Sequence, residues 1–296
     1  DRDNALDIVV TNVGTSCIGI FLGYGNGSFQ DQITYSTGSN SRPFSAAVGD
    51  FNNNIRLDIA FVNYDSHNLG LLFGYDIGNF EARLVFSNTE EHSFYGIAIG
   101  DFNNDNHMDI VVVSYDTSSV NILLRSDNGT LINRVRYRVW GYPSSVAVGD
   151  FNYDQNMDIG VTNQGSSIEG VVDAANIFIF IGSAHDSFID GTTYTTGNDY
   201  FPRFLSIADF NNDDPLDIVV ANSGSDNVSV FLGYGNGSFA DQITYSTGFR
   251  SQPYSVVGGD LNGDTRVDIV VANYGTHSIS ILLGYGNGTF FQTAIY

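Results

Sequence analysis

Lysine is absent from this chain, and its absence leaves the acids unopposed. All 11 strongly basic residues are Arg, against 33 acids, for a formal net charge of −22 over 296 residues. A field of that sign repels phosphate backbones and anionic lipid, so nucleic acid is a poor partner. Cysteine is almost missing as well: Cys17 alone cannot build an internal disulfide framework. Beside the strand-like run Ile18-Gly19-Ile20-Phe21-Leu22 it reads as a buried, inert thiol. No apolar run approaches the roughly 18 residues of a membrane helix, so membrane insertion is not expected. The chain opens at Asp1 with neither an initiator Met nor a leader peptide, which reads as a processed or trimmed start. Proline is scarce, at 5, whereas Gly (33), Phe (22) and Tyr (17) are plentiful. Many short strands joined by tight turns need that balance.

What is present is a repeat, and a repeat decides the fold. Residues 21–38 read FLGYGNGSFQDQITYSTG and residues 231–248 read FLGYGNGSFADQITYSTG; residues 281–290, ILLGYGNGTF, give a third copy. A second signature, GDFNNxxxxDI, recurs with its first Asp at Asp50, Asp101, Asp150, Asp209 and Asp260, at spacings of 51, 49, 59 and 51 residues. The opening stretch, Asp1 to Ile8, matches the same signature without its first residues. Each unit resolves into four strand signals, in the fifth unit Phe204–Ala208, Asp217–Ala221, Val228–Leu232 and Gln242–Tyr245. An Asn-Gly pair between the third and fourth is a strong hairpin signal, and no window shows helical periodicity.

Four-stranded antiparallel units repeated radially describe the blades of a propeller. A solenoid of parallel rungs would need repeats nearer half this length. The expected fold is therefore all-β: a single domain over residues 1–296 with six blades near 1–42, 43–93, 94–142, 143–201, 202–252 and 253–296. On these motifs the chain resembles the FG-GAP/VCBS repeat family, best known from the propellers of integrin α-subunits. That resemblance implies the propeller fold and leaves adhesive, carbohydrate-handling and structural roles open.

The acidic loops point to calcium. In the loop opened by Asp101, oxygen-bearing side chains fall at positions 1, 3, 5 and 9 (Asp101, Asn103, Asp105, Asp109), and the carbonyl of His107 can supply position 7. Alternation by two turns successive oxygens toward one centre, and a hard cation wanting six to eight of them is the natural guest. The set recurs as Asp150, Asn152, Asp154 and Asp158; as Asp209, Asn211, Asp213 and Asp217; and as Asp260, Asn262, Asp264 and Asp268. The second loop (Asp50, Asn52, Asn54, Asp58) has only two carboxylates and is expected to be the weakest. The first keeps Asp1, Asp3 and Asp7. Such loops are also good turns in their own right, but six in register place repeated like charges together and call for a cation. About one structural Ca²⁺ per repeat is expected, standing in for the disulfides that an extracellular, secreted chain would otherwise carry.

Departures from the repeat are where individual function would sit. In the fourth unit the interval from Asn163 to Gly182 is eight residues longer than its counterpart Asn12 to Gly23. The added stretch holds Glu169 and Asp173, an interaction loop or a neutral insertion. Arg134, Arg136 and Arg138 alternate along a fourth strand ahead of Trp140, the only Trp. They form either a docking stripe or a charged edge that blocks aggregation. Sequons at Asn26, Asn128, Asn227, Asn236 and Asn287 are candidate glycosylation sites. The five His residues are scattered, with no H-E-x-x-H or G-x-S-x-G context.

From this the chain is expected to be a non-catalytic, adhesion-type extracellular module with a protein or glycan partner. Two alternatives stand beside it. The first unit lacks its first strand in this chain, so either the natural chain runs further upstream or another copy donates the strand and a filament forms. A carbohydrate-active enzyme is the third reading.

Overall fold

The computed structural model describes residues 5–76, 79–87, 93–126, 130–168, 171–173, 175–183, 187–197 and 201–296. Among these residues every helix or strand is a β-strand and every pairing within a sheet is antiparallel. Strands Ile8–Asn12, Cys17–Phe21 and Ile33–Ser36 form a three-stranded sheet. The next sheet comprises Pro43–Gly49, Asp58–Asn63, Asn68–Asp76 and Asn79–Ser87, followed by one of Phe94–Gly100, Asp109–Ser114, Ser119–Arg125 and Leu131–Arg138. A further sheet contains Pro143–Gly149, Asp158–Asn163, Ala175–Ser183 and Ser187–Gly197. The last two are Pro202–Ala208, Asp217–Asn222, Asn227–Phe231 and Ile243–Ser246, then Pro253–Gly259, Asp268–Asn273, Ser278–Gly284 and Phe290–Ile295. In each, spatial order is chain order, the simple meander that short turns dictate.

The longer interval of the fourth unit is not an irregular loop. It folds into a hairpin of its own, Ser166–Ile168 against Val171–Asp173. Glu169 lies outside the described residues, and of Asp173 only the backbone is described. No helix is long and apolar enough to cross a membrane among the described residues.

The chain divides into two compact units, Asp1–Arg138 and Val139–Tyr296. In the first, Ile18, Ile20 and Leu22 pack on Ile59, Phe61 and Leu72 of the following sheet. That sheet packs in turn on Phe94, Ile97, Ile110 and Val112 of the third. The second unit repeats the arrangement around Phe151, Ile177, Leu205 and Phe231, and around Phe210, Val228, Val256 and Ile269. Each core therefore lies between successive sheets. The second strands read as unbroken β-branched runs, as in Asp109-Ile-Val-Val-Val-Ser, because both of their faces are covered.

One aromatic joint recurs between sheets. The signature Phe151 meets Phe239 of the next sheet edge-on at 5.4 Å, and Tyr194 meets the same ring at 5.5 Å. Phe210, Tyr245 and Phe290 repeat the trio at 5.8 and 5.4 Å. The Tyr194 hydroxyl accepts the Phe239 N–H at 2.9 Å, and Gly237 N–H reaches the Phe151 carbonyl at 2.9 Å. Three motifs that look separate in the sequence, DFN, ITYS and GNGSF, are thus parts of one contact.

The glycine of the third strand is sterically required in every sheet but the third, where Arg125 takes its place. A Cβ on Gly233 would collide with the Leu216 carbonyl oxygen, as one on Gly74 would with Leu57 and one on Gly284 with Val267. Gly14, by contrast, has nothing within 4 Å of that position. Gly233→Ala should destabilise by about 1–3 kcal/mol, the usual cost of overpacking, while Gly14→Ala should be near neutral. Thermal melts of the two variants check this, and equal midpoints would refute it.

Candidate metal centre

The acidic loops are shaped from their ends inward. The ninth-position Asp is fully buried in the second to sixth loops: Asp58, Asp109, Asp158, Asp217 and Asp268 are 0% exposed. One of its oxygens accepts the N–H of the loop's second residue, as Asp217 Oδ2 does from Phe210 at 2.8 Å. The other accepts the third-strand glycine, as Asp217 Oδ1 does from Gly233 at 2.7 Å. The pattern holds for Asp58, Asp158 and Asp268, and for Asp109 with Arg125 N–H in the glycine's place. Asp7 receives Gly23 N–H at 2.9 Å. Asp1 and Asp3 lie outside the described residues.

The first-position Asp draws the loop around itself. Asp101 Oδ1 accepts Asp105 N–H at 3.0 Å and Oδ2 accepts Asn106 N–H at 2.8 Å. Asp50, Asp150, Asp209 and Asp260 do the same for their own fifth and sixth residues. Position 3 then meets position 5: Asn103 Oδ1 accepts Asp105 N–H at 3.1 Å while its Nδ2 donates to Asp105 Oδ2 at 2.9 Å. Asn152 with Asp154, Asn211 with Asp213 and Asn262 with Asp264 repeat this amide–carboxylate bond. In the second loop Asn54 offers no carboxylate, and the Asn52 amide turns to Asp58 Oδ1 at 3.5 Å. His107 closes on Asp105 Oδ1 through its N–H at 2.8 Å and its ring Nδ1 at 3.3 Å.

Loop positions 4 and 6 are left-handed in the second to sixth loops. They are Asn53 and Ile55, Asn104 and Asn106, Tyr153 and Gln155, Asn212 and Asp214, and Gly263 and Thr265. A β-branched residue there is strained, yet Ile55 holds φ 67° and Thr265 φ 66°. Sequence spacing marks the candidate ligand positions and gives no sign of this.

Burial pushes the Asp109 carboxyl from its ordinary 3.8 up to about 7, against the pull of the Arg125 and Phe102 N–H donors. Repulsion from Asp105 and Asp101 adds to the rise. Burial likewise lifts Asp158 and Asp217 to about 6, each with its own first- and fifth-position carboxylates adding to the rise. Asp58 is raised for the same reason, but with repulsion from Asp50 alone. Exposed Asp260 is held below 3.8 by the Thr265 N–H first of all.

Among the described residues no group of three or more His, Cys, Asp or Glu side chains is gathered closely enough to hold a metal on those types alone. The loops instead offer a mixed, all-oxygen set in which an Asn amide oxygen complements carboxylates that repel one another. That set fits a hard divalent cation and no thiophilic one.

The other singled-out residues disperse. Asn26, Asn236 and Asn287 sit in hairpin turns, each accepting the N–H and the hydroxyl of the residue two places on, at 2.6 Å for the hydroxyl. Asn227 begins a strand half-buried, its oxygen taken by Asn222 Nδ2 at 2.9 Å. Asn128 lies outside the described residues. Arg136 and Arg138 are exposed on an outer strand and Trp140 is 78% exposed; of Arg134 only the backbone is described. Buried Asn63, Asn163, Asn222 and Asn273, each closing a second strand, escaped the sequence reading because they resemble ordinary turn residues.

Repeated meander sheets with an acidic loop between first and second strands define a propeller-like repeat protein. The FG-GAP-like repeat model matches residues 1–61, 101–161 and 209–271, more than half of the chain, and the chain belongs to that family. No curated protein sequence matches it. Among solved structures it is similar to a streptogramin B lyase (13% identity, TM-score 0.66, 100% of this chain and 81% of that one). It is also similar to virginiamycin B lyase from Staphylococcus aureus (13%, TM-score 0.63, 99% and 82%). A third is a "putative 6-phosphogluconolactonase" from Bacteroides uniformis ATCC 8492 (16%, TM-score 0.69, 97% and 80%). At these identities the likeness is one of fold.

Those structures overturn the expectation of a non-catalytic, adhesion-type module. Proteins of similar fold are named as lyases and as a "putative" lactonase, so the fold does not exclude catalysis. The absence of familiar catalytic motifs was too narrow a ground, since chemistry grafted on a fold need not use them.

The raised carboxyls have a measurable consequence. Unfolded they titrate near 3.8 and folded near 6 to 7, so the folded state holds the extra protons in between and loses stability as pH rises through that window. In chelator, the melting midpoint should climb as pH is lowered from about 8 to about 5. A midpoint that falls over that range would refute the account.

Proposed function

We propose that this FG-GAP-like chain is a six-bladed propeller that binds Ca²⁺ in its acidic loops and uses it to rigidify the ends of its sheets. The observation carrying this reading is the shared register of positions 1, 3, 5 and 9, with first- and fifth-position carboxylates raising the buried ninth. A divalent cation relieves that repulsion and, by binding the folded state alone, stabilises it by about 2.7 kcal/mol per site at a hundredfold excess over Kd. Loops of this kind fill at the millimolar calcium found outside cells, which favours an extracellular setting, as do the three turn sequons. The lyases and lactonase of like fold keep turnover of a bound ligand within the scope of this propeller.

The test is a melt in Ca²⁺, in Mg²⁺ and in chelator, with terbium luminescence to count sites. Calcium should raise the midpoint well beyond what magnesium does. Asn54→Asp, which restores a third carboxylate to the second loop, should tighten the weakest site by about tenfold, on the order of 1.4 kcal/mol. A midpoint indifferent to calcium, with no terbium signal, would refute the proposal.

A further inference from the structure

Four aromatic rings collect at the opposite end of the sheets from the acidic loops, all within the unit Asp1–Arg138. Phe44 and Tyr95 begin first strands; Tyr64 and Tyr115 follow the ends of second strands. Pairing of Pro43 with Asn63 and of Phe94 with Ser114 sets each couple abreast. Phe44 and Tyr95 lie 4.1 Å apart between centroids, and Tyr95 stacks on Tyr115 at 5.5 Å and 29°. Tyr64 stands 6.2 Å from Phe44 and 6.1 Å from Tyr95. All four are half-buried, so the group keeps ring surface open to solvent.

The fold does not demand rings here. The same repeat positions in the other unit hold Ser144 and Gln164, then Arg203 and Ser223, and only Tyr254 and Tyr274 are aromatic. None of the four belongs to the buried cores between sheets. At the rim, the Arg42 guanidinium lies 5.6 Å over Tyr64 and pairs with Asp65 at 3.4 Å. Both charged side chains stay accessible, at 48% and 39%.

We propose that this aromatic ledge binds a neutral pyranoside, a hexose or pentose unit of an uncharged oligosaccharide. The axial C–H bonds of a pyranose carry slight positive charge and suit the negative face of an aromatic ring. Its hydroxyls need donors and acceptors together, which the Arg42–Asp65 pair supplies in charge-assisted form. One guanidinium against Asp65 and the neighbouring Asp116, in a chain of net charge −22, disfavours an acidic sugar. The ledge lies away from the acidic loops, so this inference stands apart from the calcium reading.

The experiment titrates the full chain, at saturating Ca²⁺, with hexasaccharides of glucose, mannose, galactose and xylose. Oligogalacturonate and tetramethylammonium serve as the acidic and cationic probes. At least one neutral hexasaccharide should bind. Tyr64→Ala and Tyr95→Ala should each weaken it by about five- to tenfold, Tyr95→Phe should retain it, and Tyr254→Ala should leave it unchanged. Melts confirm that each variant is folded; should Tyr95→Ala fail to fold, Tyr115→Ala and Arg42→Ala carry the test. The proposal is overturned if no neutral sugar binds, if only the acidic or the cationic probe does, or if binding survives loss of the rings in folded variants.

Discussion

Each of the second to sixth acidic loops of this protein hangs on one buried carboxylate. The ninth-position Asp holds the N–H of the loop's second residue with one oxygen and that of the third-strand glycine with the other, as Asp158 does with Phe151 at 2.7 Å and Gly182 at 2.7 Å. An isolated buried carboxylate would be expensive, but two charge-assisted bonds to fixed backbone donors offset much of that cost. The bridge ties the loop between strands one and two to strand three, and so fixes the register of three strands at once. It also explains the glycine. The Gly182 N–H reaches Asp158 with its backbone lying against the Met157 carbonyl, where a Cβ would not fit.

Once the ninth position is tied, the rest of the loop has little freedom. Seven residues must turn between Asp209 and Asp217 with most of their N–H groups pointing inward, and the left-handed φ values at positions 4 and 6 accomplish this. Strain of about 1–3 kcal/mol per such residue is accepted even by Tyr153 and Ile55. The strained residues also serve the neighbouring sheet, since Tyr153 lies against Gly235 of the next hairpin, where a side chain would collide. Loop, hairpin turn and the Phe–Tyr–Phe joint form one connected structure, and a cation held in the loop would stiffen the contact between sheets as well as the loop.

How much of this could be read in advance depends on whether a residue acts within its own repeat or beyond it. Strand positions and the spacing of Asp101, Asn103, Asp105 and Asp109 were legible, because periodicity and side-chain chemistry are local. The role of Asp109 was legible only in part. It reads as a fourth ligand, and its oxygens also accept two backbone donors, a long-range fact that spacing cannot carry. The Tyr of ITYS looked like an ordinary outer-strand residue until Tyr245 was seen against Phe290 of the next sheet. The longer interval after Asn163 looked like a loop because three-residue strands are too short to show alternation. The cluster of Phe44, Tyr64, Tyr95 and Tyr115 was hidden because its members are about 20 to 30 residues apart in the chain and meet only through register and stacking.

The two ends of each sheet are therefore under different kinds of constraint. At the acidic end the backbone itself is held: the Asp residues at positions 1 and 9 accept backbone N–H groups of the loop and of the third strand, and Gly recurs at that third-strand position in every sheet but the third, where Arg125 stands, so the repeats there are nearly copies. At the other end the side chains lie outside that network, and the same site can be Phe44, Ser144, Arg203 or Tyr254 without disturbing the ladder. Residues free to vary are the ones that can be specialised. The acidic end therefore tells how the sheets are held together, and the other end is where one repeat is left free to differ from the next.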